Sequence, residues 1–282
     1  MTPSMNLVGM ILALASALVW GGGDFTGGYA TRRASQYQVL ALSAFSGLVV
    51  MIVAALVWRE SFPSLRSAVW AMLAGASAAL GIAALYRSLS LGQAASTAPT
   101  AGVISAALPV VYSGLTSGLP ALSRLFGFGL AFAGIWLVAA AVSKKEGDSA
   151  QAFRLAWLAG IGFGAFFIFL GLVEPGKIFT PLIIARSLTL MTGLVLMRLN
   201  RLSMPALTGN PPALLAGILD AGGNLLYILA KQYTRVDTAA VLASFYPVST
   251  VLLAALILKE EVTMRQRVGL VLCLGAIALI TI

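Results

Sequence analysis

The chain has 282 residues, 60% of them hydrophobic and 10% charged, where soluble proteins carry about a quarter charged residues, so a water-soluble monomer is excluded and the chain belongs in a bilayer. With no histidine and a single cysteine, Cys273, it forms no intrachain disulfide and no metal site of imidazole or thiolate clusters, and no metal or cofactor is expected. The formal charge of +9 sits mostly between apolar runs, with no basic stripe interleaved with aromatics, so it points to topology and anionic headgroups rather than to nucleic acid.

The first apolar run starts near Leu7, with no Lys or Arg before it; it reads as a membrane helix, not a cleaved signal. It carries Trp20-Gly21-Gly22-Gly23-Asp24 and then Gly27-Gly28, glycines that let a neighbouring backbone approach closely or let the helix unwind. Further runs centre near Val49, Ala79, Ser105 and Ala133. The third ends at Tyr86-Arg87, and the fourth holds Pro99 and Pro109. The longest polar stretch, Ser143 to Arg154, falls at the midpoint. Beyond it, runs centre near Gly164, Thr189, Gly223, Thr250 and Gly275. Each of the ten meets or approaches the ~20 apolar residues that span a bilayer as a helix.

The carboxyl half repeats the amino half. A shift of 142 positions lays Leu73-Ala74-Gly75 on Leu215-Ala216-Gly217, Gly127 on Gly269 and Ile135 on Ile277. With small gaps, Tyr86 meets Tyr227 and Pro109-Val110 meets Pro247-Val248. Five spans per half is an odd number, so the second half enters the membrane from the opposite side. The fold expected is all-α and integral to the membrane: ten transmembrane helices as two inverted five-helix repeats, over 1–143 and 155–282, joined by a polar linker over 144–154. Both termini then share a side. Connections after odd-numbered spans carry eleven Lys and Arg, those after even-numbered spans six, which puts the former in the cytoplasm and the termini outside.

A charge at the bilayer centre costs at least ~2.5–3.5 kcal/mol and is a functional hypothesis by default. Asp24, Arg87, Arg186 and Asp220 qualify, with Glu174 at the margin beside Pro175. In the eighth span Asp220, Asn224, Tyr227 and Lys231 stand at i, i+4, i+7 and i+11, one helical face that must meet protein or a wet cavity. Asp220 and Arg186, both mid-span, can pair; the pair either fixes helix register or belongs to a solute site. Asp24 and Arg87 can pair near the cytoplasmic ends, as a gate or as a headgroup anchor. Pro109 and Pro247 predict kinks in both halves, with freed carbonyls beside a central cavity.

These features together resemble the drug/metabolite transporter superfamily in its ten-helix EamA form. The residues that carry the likeness are Trp20-Gly21, Tyr86, Pro109-Val110, Tyr227, Tyr246-Pro247-Val248, Lys259-Glu260-Glu261-Val262-Thr263 and Gly269. The first half departs from it, with Gly118-Leu119 where Glu260-Glu261 would fall; those glutamates read as a solvated turn, with Glu261 starting the last helix. The resemblance implies a central cavity, alternating access, and export or exchange of small metabolites in the inner membrane of a bacterium, with a homodimer left open. Trp20, Arg186, Asp220, Asn224, Tyr227 and Tyr246 are the candidate substrate residues, and Asp24 and Arg87 the candidate gate or coupling residues. A carboxyl of Asp24 or Asp220 can carry a coupling proton, since desolvation raises a carboxyl pKa.

No Gly-x-x-x-x-Gly-Lys-Ser/Thr loop is present, so the chain by itself is no ATP-driven pump. Two other readings compete. A lipid-carrier flippase or partner subunit would show an aromatic-lined lateral opening. An intramembrane aspartyl protease would need Asp24 and Asp220 to share a proton, and Asp220 lacks the preceding tyrosine that such sites carry.

Overall fold

The computed structural model describes residues 3–90, 94–139, 150–259 and 261–281, the side chains of 3, 86, 89, 90, 94–99 and 152 excepted. Helices α1 (Pro3–Ala30), α2 (Gln36–Trp58), α3 (Leu65–Ser90), α4 (Ala94–Ser117) and α5 (Leu122–Ala139) build the first half. Helices α6 (Ala150–Gly171), α7 (Phe179–Leu199), α8 (Pro211–Tyr233), α9 (Val236–Ala243), α10 (Tyr246–Ile257) and α11 (Met264–Thr281) build the second. Among the described residues these make ten membrane-length spans, because α9 and α10 form one broken span over Val236–Ile257. Residues 150–154, expected in the linker, already belong to α6; the rest of that polar stretch, with Lys144, Lys145, Glu146 and Asp148, lies outside the described residues.

Helices pair across the halves, and the pairs come in matched sets. α1 packs on α8 as α6 packs on α3; α2 packs on α8 as α7 packs on α3; α10 meets α1 as α4 meets α6. The self-related pairs α2 with α7, α4 with α9 and α5 with α11 join the halves further. This is the pattern a pseudo-twofold between inverted repeats requires.

Two close approaches show it at atomic scale. A Cβ on Gly75 of α3 would stand 2.7 Å from the Ala185 carbonyl of α7. A Cβ on Gly217 of α8 would stand 1.9 Å from the Ser43 carbonyl of α2. The shift of 142 that carries Gly75 to Gly217 also carries Ser43 to Ala185. Without lipid-independent hydrophobic force, such small-residue contacts are what hold membrane helices together. The outer surface is correspondingly apolar, with Leu56, Val57, Leu115 and Leu274 exposed.

The termini and the turns after even-numbered spans share one face, here the terminal face; the turns after odd-numbered spans form the linker face. At the terminal face each half caps a helix of the other. The Glu60 carboxylate accepts from the Ile178 amide (2.9 Å), the Phe179 amide (3.3 Å) and the Thr180 amide and hydroxyl (2.8 and 2.7 Å) at the start of α7. Glu174 in return accepts from the Ser64 amide at 3.0 Å and its hydroxyl at 2.6 Å, ahead of α3. Both satisfy amides that a helix start leaves unpaired. Burial pushes the Glu60 carboxyl up, but the hydrogen bonds from Thr180, Ile178 and Phe179 outweigh it and hold it below its ordinary 4.5. The Ser64 hydrogen bonds hold Glu174 low as well. Glu174, at the margin by sequence, is thus a turn residue outside the membrane core.

The paired kinks do not appear as a pair. α4 runs unbroken through Pro109, whereas the second half breaks at Ser244-Phe245 and restarts with Pro247 in the first turn of α10. Proline removes one hydrogen bond in either case, and the packing around it decides between a bend and a break. The last helix starts later than expected, at Met264. Thr263 and Gln266 bond reciprocally ahead of it (Gln266 amide to Thr263 hydroxyl 3.3 Å, Thr263 amide to Gln266 side chain 2.9 Å), a capping box that outcompetes Glu261. Glu260 lies outside the described residues.

Candidate functional site: a chamber between the halves

A chamber of about 250 Å³ lies between the two halves, its lining running from mid-helix residues such as Ser105 and Arg186 to Leu85 toward the linker-face end of α3. It is lined by Trp20, Asp24, Arg186, Asp220, Asn224 and Tyr246, six of the eight residues singled out by sequence. Its floor is aromatic. Trp20 and Phe167 meet at 5.6 Å between ring centroids, and Tyr227 packs behind them at 6.1 Å from Trp20 and 5.0 Å from Phe167. The floor is possible because Gly223 leaves room for the indole: a Cβ there would stand 2.4 Å from the Trp20 ring. The indole nitrogen donates to the Asp220 carbonyl at 3.2 Å.

The glycine run in α1 serves close approach rather than unwinding. α1 is helical throughout, and a Cβ on Gly21 would stand 2.6 Å from the Tyr246 carbonyl of α10.

Arg186 and Asp220 form the ion pair expected of them, at 2.5 Å. The same guanidinium nitrogen donates to the Gly217 carbonyl at 3.0 Å, so Arg186 of α7 ties itself to α8 through two acceptors. Its side chain is 10% exposed against 45% for that of Asp220. Asn224 donates to the Asp220 carbonyl at 2.6 Å, and to its carboxylate at 3.4 Å.

The helical stripe on α8 divides in two. Asp220 and Asn224 reach the chamber; Tyr227 and Lys231 do not. The Tyr227 side chain is fully buried and its hydroxyl donates to the Phe167 carbonyl at 2.9 Å. Tyr227 is therefore not positioned to touch a solute, and its part is to back Trp20. The Lys231 ammonium donates to the Gly171 carbonyl at 3.2 Å and to the Val173 carbonyl, neutralising the carbonyl end of α6. Nearby, Arg235 pairs with the buried Asp237 at 2.9 Å and donates to the Gly118 carbonyl at 2.8 Å, joining two terminal-face turns. Below the floor, residues 237–243 are all buried. The terminal face is sealed.

The Asp24–Arg87 pair is not formed. Among the described residues the ion pairs are Arg186–Asp220 and Arg235–Asp237. Asp24 opens into the chamber, while Arg87 is exposed near the end of α3 and is not part of the lining. Among the described residues no three His, Cys, Asp or Glu side chains gather as a metal site.

Reading for polarity missed the opposite wall, which includes Ala78, Ile82, Phe163 and Phe166. The repeat held the signal. A shift of 142 carries Asp24 to Phe166, Ala78 to Asp220, and Ile82 to Asn224. The pseudo-twofold therefore places an apolar residue across from each of these three polar ones.

Two stretches, 7–140 and 150–282, each match the EamA-like transporter family. A solved structure described only as "Crystal structure of protein" superimposes with a TM-score of 0.73 at 16% identity, over 99% of this chain and 96% of that one; at that identity the likeness is one of fold. No curated protein matches the chain.

Proposed function

The chain belongs to the EamA-like transporter family, and we propose on that premise that it is a secondary transporter, exporting or exchanging small metabolites by alternating access. The observation that carries this reading is the chamber itself, with Asp24, Arg186 and Asp220 lining a void of about 250 Å³ at membrane depth. Such charges are kept in a bilayer only when they face protein or a solute path. The volume lies just below the ~300–1,000 Å³ of sites for drug-sized ligands, which favours solutes of amino-acid or nucleobase size. Trp20, Asp24, Asn224, Asp220 and Tyr246 are the proposed contacts, with Arg186 holding Asp220 in place.

With the linker face in the cytoplasm of a bacterium, as the basic residues favour, the sealed terminal face makes this an inward-facing state. The halves, of roughly 1–143 and 155–282, are the units that rock against each other. The protease alternative loses support from the same geometry: Asp220 is paired to Arg186, so it is not free to share a proton with Asp24.

The test is a counterflow screen in proteoliposomes with amino acids, nucleobases, sugars and organic cations, run beside a Gly223→Ala variant. The added methyl would stand 2.4 Å from the Trp20 ring and push it into the chamber. Saturable counterflow of at least one solute, lost in Gly223→Ala while the protein stays folded, is expected. Absence of counterflow for every solute class, or unchanged flux in the variant, refutes the reading.

A further inference from the structure

We propose that the chamber selects monovalent organic cations with an apolar, preferably aromatic, body. This rests on the transporter reading above and narrows its substrate class.

The lining is richer in acidic than in basic groups: two aspartates, Asp24 and Asp220, stand against one arginine, Arg186. Exposure sharpens the point. The Arg186 side chain is 10% exposed, and its Nη2 already serves the Asp220 carboxylate and the Gly217 carbonyl. Its Nε faces Gly47, where a Cβ would stand 2.4 Å away. That nitrogen is buried without a hydrogen-bond partner, and the guanidinium is turned more toward the protein than toward the chamber. Asp24 is exposed to the chamber and the Asp220 side chain is 45% exposed. A solute entering meets carboxylate oxygens before it meets the guanidinium.

The opposite wall decides the rest of the solute. Ala78, Ile82 and Phe166, the repeat-related counterparts of Asp220, Asn224 and Asp24, offer no hydrogen-bonding side chain. Phe163 and Phe167 extend the same surface. A doubly charged or polyhydroxylated solute would leave polar groups unpaired against it. A solute with one cationic end and one apolar end satisfies both walls at once. The Trp20 ring adds an attraction for a cation near its face.

The experiment uses the full chain in nanodiscs and three benzyl compounds of similar size: benzyltrimethylammonium, phenylacetate and benzyl alcohol. Calorimetric titration is expected to show benzyltrimethylammonium binding at least about tenfold more tightly than either of the others. Asp24→Asn is expected to lower that affinity at least about tenfold, and Asp24→Glu to restore part of it. Phe166→Ala is expected to weaken benzyltrimethylammonium more than tetramethylammonium, which has no ring to lose. Tighter binding of phenylacetate, equal binding of all three, no binding by any, or indifference to both Asp24→Asn and Phe166→Ala overturns the proposal. Counterflow of the same compounds separates the two levels. Uptake of phenylacetate in preference to the cation would sink the substrate class and leave the transporter reading standing. Cation binding with no counterflow of any solute would keep the site and sink the transporter reading.

Discussion

Gly217→Ala tests the interlock of the two halves. The new Cβ would stand 1.9 Å from the Ser43 carbonyl oxygen and 2.2 Å from the Ser46 hydroxyl. Ordinary contact begins at 3.4 Å, so α2 and α8 must separate by about 1.5 Å, an overpacking at the upper end of the ~1–3 kcal/mol range. The separation also strains the Ser46 hydroxyl's bond to the Leu214 carbonyl, now 2.8 Å, which is worth ~1 kcal/mol. Replacing glycine by alanine within a helix returns ~1 kcal/mol, leaving a net destabilisation of about 3 kcal/mol. Gly75→Ala is the internal control at the repeat-related position. Its Cβ would stand 2.7 Å from the Ala185 carbonyl, so a shift of about 0.7 Å suffices, the cost is ~1 kcal/mol, and the helix gain cancels it. Unfolding by SDS titration in mixed micelles, followed by tryptophan fluorescence, should rank Gly217→Ala well below both the parent and Gly75→Ala. Equal stabilities, or the reverse order, would refute the assignment of the tighter crossing to α2 and α8.

Lys231→Met keeps the apolar stem and removes the ammonium that closes the end of α6. The Gly171 and Val173 carbonyls then lose a charged donor, at about 2–3 kcal/mol; the same titration should show it, and an unchanged midpoint would mean that the carbonyls find other partners. Glu60→Gln addresses pH. Because the Glu60 carboxyl is held below its ordinary 4.5, its contribution is complete above that value and is lost as pH falls through the lower folded value. The parent should therefore lose thermal stability between about pH 5 and pH 3 more steeply than Glu60→Gln; parallel melting curves across that interval would exclude the Glu60 cap as the acid-sensitive group.

Much of the bundle could be read before any coordinates, because the bilayer permits few alternatives. Runs of apolar residues closed by charge or proline gave ten spans, and an odd count per half dictated inversion. Charges in apolar surroundings marked Asp24, Arg186, Asp220 and Asn224's neighbourhood, since the membrane tolerates such groups only beside a cavity or partner. Helical periodicity failed at Tyr227 and Lys231 for a definite reason: it reports which way a residue faces and not how deep the void beside it runs. Phe163, Phe166 and Ile82 escaped notice because apolar side chains are the ordinary filling of a membrane helix. The fate of Pro109 and Pro247 was equally hidden. A missing amide weakens both helices alike, and only their neighbours distinguish the unbroken α4 from the broken pair α9 and α10.

That inequality between the prolines bears on motion. Inverted repeats can exchange their shapes, and when they do the mouth of the protein changes sides. In the exchanged form of the proposed cycle Pro109 would mark the fracture and the Ser244-Phe245 gap would be healed into one rod, so the two prolines would serve as alternate elbows, one folded while the other is straight. Tyr246 and Ser105, both at the chamber's edge beside these elbows, would then feel every stroke.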